Sequence, residues 1–387
     1  MRIAYLHSGS IPSVYANGVH VMRMCDALTD AGHDVRLYAL RGEMVSEDVH
    51  AYYGTRNRFP VRTFPMRAPM LLGSWLRAWR IRRAIRRDGI PDLLYGRDPH
   101  ALVAARGLAP RIYETHLLWE GRMMRAIERV LLGSRSVRGV VFVSQALADD
   151  YANAYPGLDG PAGPARVTAH DCADPPPPGP VAQLPGRPGA LKVGYVGHLY
   201  PGRGIEVILA LADRVPEADF HVVGGTAADL AHWRKRADRP HLHFHGHQPP
   251  GSLHPYYRAF DLVLAPYQQQ VACAGGVGDI SRWVSPMKLF EYMSHGLAVV
   301  ASDLPVLREV MADDVNCLLV PPADLDAWER AVRRLAAEPD LRTRLGDEAR
   351  DRLLTEYTWR RRADRVLTPV TEPRRPAGPA ATERAVR

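Results

Sequence analysis

Prolines 156, 161, 164, 175–178, 180, 185 and 188 fall within one 35-residue stretch, 156–190. Proline lacks an amide hydrogen and fixes φ, so neither a core helix nor a central strand can run through such a segment. The stretch therefore reads as a linker, with room for one short strand at 166–170. It divides the 387-residue chain into two parts, each long enough to bury its own core. Both parts open in the same way. The first reads strand (2–6), loop (7–18), helix (19–31), a turn at Gly32-His33, strand (35–40), and later strands near 92–96, 111–115 and 139–143. The second reads strand (191–197), helix (203–214) and strand (220–223), with further strands at 242–245, 261–265, 298–301 and 317–320. Strands alternating with amphipathic helices predict an α/β chain with two doubly wound parallel sheets and a ligand cleft between them. The boundaries read as 1–185 for the first domain, 186–356 for the second, a helix at 357–370 crossing back to the first, and a disordered tail at 371–387.

The most informative local motif is Ser285-Pro286-Met287-Lys288-Leu289-Phe290-Glu291-Tyr292-Met293. Ser285 reads as N-cap, Pro286 as first helical residue and Gly296 as the left-handed terminator, placing a helix at about 286–295. Its free N–H groups and positive dipole end suit a phosphate, and Lys288 adds a cation there. Glu291 follows at i+3 on the same face. A diphosphate with a diol beyond it fits this pattern, and so does a solvated i,i+3 ion pair. Of 50 basic residues only Lys192, Lys235 and Lys288 are lysine, so lysine at this position departs from the chain's habitual cation. A compact ammonium follows a phosphate oxygen where a guanidinium would impose a planar fork.

Composition narrows the partners. The 46% apolar share is that of a globular protein, and the net charge of +8 admits anionic substrates, acidic membranes or nucleic acid. Basic residues are spread over the whole chain with no nucleic-acid-binding motif, which argues against nucleic acid. No signal-peptide pattern and no 18-residue apolar run occurs, so the expectation is a soluble cytoplasmic protein. Cys25, Cys172, Cys273 and Cys317 lack any disulfide or zinc spacing. Trp75 to Arg87 is basic and amphipathic. A strand at Pro91 to Tyr95 follows it, which favours a crossover helix over one lying on lipid.

The second part resembles the nucleotide-sugar domain of family 4 glycosyltransferases of the GT-B fold. The resemblance runs through Gly194-Tyr195-Val196-Gly197-His198-Leu199-Tyr200-Pro201-Gly202-Arg203-Gly204, Phe244-His245-Gly246-His247, Ser285 to Met293, Gly296 to Asp303, Glu309, Asn316 to Val320 and Tyr357-Thr358-Trp359. The first part matches more loosely through Gly18 to Val21, Ala31 to Val35 and Tyr113-Glu114-Thr115-His116. This implies a metal-independent, cofactor-free, retaining transfer of a hexose from a UDP-sugar to a hydroxyl. Arg203 and Lys288 would hold the diphosphate, with Gly197 admitting the backbone close to it. Gly197, His198, His247, Ser285, Leu289 and Glu291 would complete the donor site, Glu291 on the ribose. His116 would orient the donor sugar.

Two departures stand out. His198 replaces an arginine common in the family, and Trp283 stands where a first glutamate is usual, so that its contact comes from Asp279, from backbone N–H groups near 283, or is not made at all. His241, His243, His245 and His247 alternate on a strand, and Asp324-Leu325-Asp326 imitates a metal motif. The base-binding position of that strand and a helix N-cap at Asp324 account for both without metal. The Val14 to Met22 loop and the 285–293 variant are similar to transferases of aminoglycoside antibiotic pathways, which act on 2-deoxystreptamine or its pseudodisaccharides. Asn17, Gly18, Asp98 and Glu114 would then hold the acceptor; the other reading has Asp98 capping the helix that follows and Glu114 paired with a buried arginine. The alternative is a polysaccharide or lipid-linked-sugar transferase working at a membrane surface. A sugar-nucleotide 2-epimerase shares the two-domain cleft, and product formed from the nucleotide sugar alone would reveal it.

Overall fold

A computed structural model describes residues 1–372 except 43, 45, 46, 67–69, 161, 162, 238 and 273–277. The tail expected at 371–387 therefore lies outside the described residues, apart from Thr371, which ends a helix, and Glu372. Cys273 lies outside them as well.

The strands of the first sheet are β1 Arg2–Ile11, β2 Asp34–Arg41, β3 Val61–Phe64, β4 Leu93–Gly96, β5 Arg111–Thr115, β6 Val137–Phe142 and β7 Ala165–Thr168. Those of the second are β8 Lys192–Val196, β9 Asp219–Val223, β10 Leu242–Gly246, β11 Leu262–Ala265, β12 Ala298–Ser302 and β13 Leu318–Val320. The helices are α1 Ala16–Asp30, α2 Val49–Tyr53, α3 Met70–Asp88, α4 Pro99–Ala104, α5 Arg122–Leu132, α6 Gln145–Ala154, α7 Ile205–Arg214, α8 Ala227–Arg234, α9 His254–Tyr257, α10 Met287–Ser294, α11 Leu325–Ala337, α12 Pro339–Glu356 and α13 Trp359–Thr371.

The sheet orders are β3-β2-β1-β4-β5-β6-β7 and β10-β9-β8-β11-β12-β13, with parallel pairing throughout. In each, the order reverses beside the first strand, between β1 and β4 and between β8 and β11. Such switch points open a crevice at the carboxyl ends of the strands. The central strands are nearly continuous apolar runs because helices cover both faces; β11 and β12 are buried along their whole length. The edge strand β3 was not read from the sequence. Its four residues, Val-Arg-Thr-Phe between Pro60 and Pro65, are too short and too polar to give a period-2 signal.

After α12 the chain returns to the first sheet. α13 packs on α1, with Trp359, Ala363, Val366 and Leu367 buried. α3 buries Ala78, Ile81, Ala84 and Ile85 against the first sheet's core. Its opposite side leaves Leu72, Leu76 and Trp79 exposed at i, i+4, i+7, with Arg80, Arg83, Arg86 and Arg87 exposed nearby.

Candidate active site

Loops leaving the carboxyl ends of both sheets enclose a cavity of ≈ 470 Å³. The first sheet contributes Arg97 after β4 and His116 after β5. The second contributes Gly197 after β8, Gly224 and Gly225 after β9, His247 after β10 and Tyr267 after β11. The start of α10 closes one side with Ser285, Pro286, Met287 and Lys288.

α10 begins one residue later than its sequence suggests. Pro286 is the N-cap, at φ −83° and ψ 112°, and no side chain caps it. The Ser285 hydroxyl instead accepts from the Asp171 amide at 2.9 Å, tying the linker to the helix. At the other end Gly296 takes φ 64°, its amide donates to Met293 O, and Leu297 N donates to Tyr292 O. The Tyr292 hydroxyl accepts from Val196 N at 2.9 Å and so fixes the helix against β8.

Lys288 and Glu291 do not form the surface ion pair that their spacing allows. The Lys288 ammonium is buried without a hydrogen-bond partner, 3.8 Å from the ring centre of Tyr195 and 5.1 Å from that of Tyr267. Burial first, then the charge of Arg203, hold it well below the usual lysine range. Glu291 accepts from the Tyr257 hydroxyl at 2.6 Å, and burial raises its carboxyl above the ordinary value. Arg203 donates from Nη2 to Ala272 O at 3.2 Å, leaves Nε unpartnered, and lies 5.4 Å from the Tyr267 ring centre. Among the described residues neither cation has a carboxylate within ion-pair distance. A lysine and an arginine without carboxylate partners in a partly desolvated cavity have the chemistry to receive a multiply charged anion.

The backbone beside them is cleared by glycine. Gly197 has φ 151°, and a Cβ there would lie 2.7 Å from Lys288 Nζ. Gly224, at φ 127°, passes so close that its Cβ would stand 2.0 Å from Gly197 O. Sequence reasoning missed Gly224 and Gly225, although the pair directly after an apolar strand was the available signal. His198 stacks on Tyr200 with rings 4.8 Å apart. Burial, then Arg203 and Lys288, bring it down to about 4, so at neutral pH it adds no charge. His247 meets the Tyr52 hydroxyl at 3.1 Å across the cleft.

Four proposed contacts fall elsewhere. Leu289 faces the apolar core and is buried. Gly18 turns into the buried side of α1, where a Cβ would meet Tyr53 Oη at 2.8 Å, while its neighbour Asn17 does line the cavity. Asp98 is wholly buried, caps α4 through Ala101 N and pairs with Arg77 at 2.7 Å. Glu114 is buried beneath His116. An acceptor can therefore reach neither carboxylate as placed. Asp279 is also occupied, accepting from Val271 N and Ser281 N at 2.9 Å each, and it does not line the cavity. Trp283 does line it, with its indole N–H donating to Asp150 at 2.7 Å on the opposite domain. Glu309 also bridges the domains, accepting from Gln145 N at 2.7 Å, Ala146 N at 3.0 Å and His170 Nε2 at 2.7 Å.

Sequence reasoning also missed the network under His116. Glu114 Oε1 lies 2.6 Å from His116 Nε2, 2.7 Å from His20 Nε2 and 3.1 Å from Arg362 Nη2, and Tyr95 donates to Oε2. His20 Nδ1 lies 2.6 Å from Asp171. Burial, then Arg97, lower His116 to about 3, so the ring is neutral at pH 7. Burial alone would raise Glu114; Arg362 and His20 outweigh it and hold the carboxyl well below its usual range. His20, Glu114 and His116 offer ligand atoms within 4.8 Å of one another, but a divalent ion there would sit beside the guanidinium of Arg362, a repulsive neighbour. The four alternating histidines do not meet at one point. His241 bonds to Ala212 O, His243 and His245 stack on His221, and His247 lies beyond a register shift between Phe244 and Gly246.

Comparison with known proteins gives the class. A family model described as "Glycosyl transferases group 1" matches residues 190–338, and one described as "Glycosyltransferase Family 4" matches 18–162. The alpha-maltose-1-phosphate synthase of Mycolicibacterium smegmatis is 27% identical over 72% of this chain and 74% of its own. A phosphatidyl-myo-inositol mannosyltransferase of the same organism is 29% identical over 41% of this chain and 39% of its own. Sucrose-phosphate synthase from Thermosynechococcus elongatus superposes with a TM-score of 0.67 at 17% identity, covering 94% of this chain and 96% of that one. HepE from Anabaena, solved with UDP, gives a TM-score of 0.66 at 16% identity over 95% and 98%. Two parallel sheets of this topology define the GT-B fold, and the two family matches together take in most of the sequence. The chain has the GT-B fold, and each of its two domains matches a glycosyltransferase family model. Among the described residues no helix is long and apolar enough to cross a membrane.

Proposed function

We propose that the protein transfers a hexosyl group from a UDP-sugar to an acceptor hydroxyl with retention and without a metal ion. One observation carries this reading: Lys288, a buried ammonium with no partner, stands beside Arg203 at a glycine-cleared cavity wall. A nucleoside diphosphate supplies the missing anion, and the two cations take up charge that builds on the departing diphosphate. In this reading Glu291, one turn along α10, accepts from ribose hydroxyls. A solved structural neighbour holds UDP, and the relatives include an alpha-maltose-1-phosphate synthase and an alpha-(1->4)-mannosyltransferase, both named for alpha products. UDP release that requires an added acceptor, and that persists in excess chelator, tests the reading. Release without acceptor, or loss of activity in chelator, would contradict it.

Glu291→Gln keeps one acceptor oxygen but loses the charge that strengthens bonds from ribose hydroxyls, so UDP affinity should fall by at least ~1 kcal/mol. Unchanged affinity by calorimetry would assign Glu291 to the Tyr257 hydrogen bond alone.

An aminocyclitol acceptor needs carboxylates facing the cavity, and Asp98 and Glu114 are already paired with Arg77 and Arg362. The exposed stripe of α3 favours the second reading, an acceptor at a membrane surface. Leu72, Leu76 and Trp79 present apolar area beside four exposed arginines, which suits an interface carrying anionic lipid. Trp79→Ser and Arg83→Glu together should abolish sedimentation with phosphatidylglycerol vesicles. Equal binding by wild type and variant would discard the membrane reading.

A further inference from the structure

Behind the first-sheet wall of the cavity lies a buried ion pair that does not line it. Arg362, on the returning helix α13, directs its guanidinium at Glu114, with Nη2 at 3.1 Å and Nη1 at 3.4 Å. Nε donates to His170 O at 2.9 Å and Nη2 also to Ala169 O at 3.2 Å, so the fork is held on several sides. Both side chains are almost wholly buried. Around the carboxylate the other neighbours are the Tyr95 hydroxyl and ring nitrogens of His20 and His116.

We propose that Glu114 and Arg362 are positioning residues which fix His116 as the Nε2–H tautomer, leaving Nδ1 bare toward the cavity, so that His116 accepts a hydrogen bond from a substrate hydroxyl and cannot donate one. An ionised carboxylate only accepts, so a ring nitrogen at 2.6 Å from it must carry the hydrogen. Arg362 keeps Glu114 ionised, which closes the opposite arrangement, a protonated carboxyl donating to a bare Nε2. The ring is neutral and holds one hydrogen, so Nδ1 has none. No described residue bonds to Nδ1, and His116 retains 17% side-chain exposure where it lines the cavity. The anchor is remote in sequence: Arg362 and Glu114 stand 248 positions apart, and the arginine arrives on a helix that follows the second domain. A substrate is selected accordingly. A hydroxyl at this position satisfies Nδ1, whereas a carboxylate or an ether oxygen would set two lone pairs against each other.

The proposal deepens the transfer reading and rests on it for the identity of the substrate, but its first test needs no substrate. In full-length protein labelled with 15N-histidine, long-range 1H–15N spectra at pH 7 should show a protonated Nε2 and a bare Nδ1 for the resonances that vanish in His116→Gln. A protonated Nδ1, or an imidazolium, overturns it. In Glu114→Gln and Arg362→Met, kcat should fall by up to roughly 10²-fold through misplacement of the ring. UDP affinity should stay within about twofold of wild type, since neither residue lies in the diphosphate site. Wild-type kcat in both folded variants overturns the proposal. Failure of the wild type to bind UDP would sink the transfer reading, and the tautomer would still decide this one. Should both variants fail to fold, the wild-type spectrum alone settles the question.

Discussion

Lys288→Ala should lower kcat/KM by roughly 10²- to 10³-fold, about 3–4 kcal/mol of transition-state stabilisation, while leaving the unliganded protein at least as stable as wild type. The two effects have one cause. The ammonium is buried against Tyr195 and Tyr267 with no hydrogen-bond partner, and Arg203 adds a like charge nearby. Such a group is costly in the free protein and becomes favourable only when an anion arrives. Removing it relieves the cost and deletes the preorganised charge. Arg203→Ala should lose activity to a similar degree without the gain in stability, because Nη2 already bonds to Ala272 O. Steady-state kinetics with both substrates titrated, together with thermal denaturation with and without UDP, checks both effects. Wild-type kinetics would remove Lys288 from the site. A large fall in unliganded stability would make its role structural.

Gly224→Ala should lower kcat/KM by roughly 10²-fold through displacement of the phosphate cradle, and the protein should also be less stable by ~1–3 kcal/mol. At φ 127° an L-residue is strained, and the added Cβ would sit 2.0 Å from Gly197 O. That oxygen is backbone, so no side chain can swing aside and the Gly197 segment itself must move. Gly197 then no longer fits against Lys288, whose Nζ is 2.7 Å from where its own Cβ would be. Gly32→Ala is the control. It too has positive φ, 85°, but nothing lies within 4 Å, so it isolates strain from displacement. Equal kinetic losses in the two variants would show that the cradle is not the sensitive element.

Features written locally in the sequence were legible. Lys288 and Glu291 lie one turn apart on a helix closed by Gly296, and the second domain's strands are apolar runs bounded by glycine and proline. What depends on distant partners was not. For Asp98 and Glu114 the strand-end spacing allowed an acceptor contact as readily as a helix cap and a buried arginine partner; the second pair of roles is the one observed, but nothing local names Arg77 and Arg362 as the partners. Ser285 had the residue type of an N-cap, yet its hydroxyl is taken by the Asp171 amide, from a loop 114 positions away in sequence. Trp283 read as a missing carboxylate, whereas its indole reaches Asp150 on the other domain. For Ser285 and Trp283 a tertiary partner overrode a sound local preference.

The central claim, that the cavity is a nucleoside diphosphate site organised by Lys288, is tested most directly by calorimetric titration of UDP in mildly alkaline buffers of differing ionisation enthalpy. In the free protein the ammonium titrates well below the usual lysine range, and a diphosphate beside it favours the charged form. Binding between those two limits must therefore take up protons, and affinity must fall as pH rises. The prediction is UDP binding with net proton uptake in the wild type, and weakened binding without uptake in Lys288→Ala. UDP that fails to bind, or that binds equally to both proteins with no proton exchanged, would contradict it.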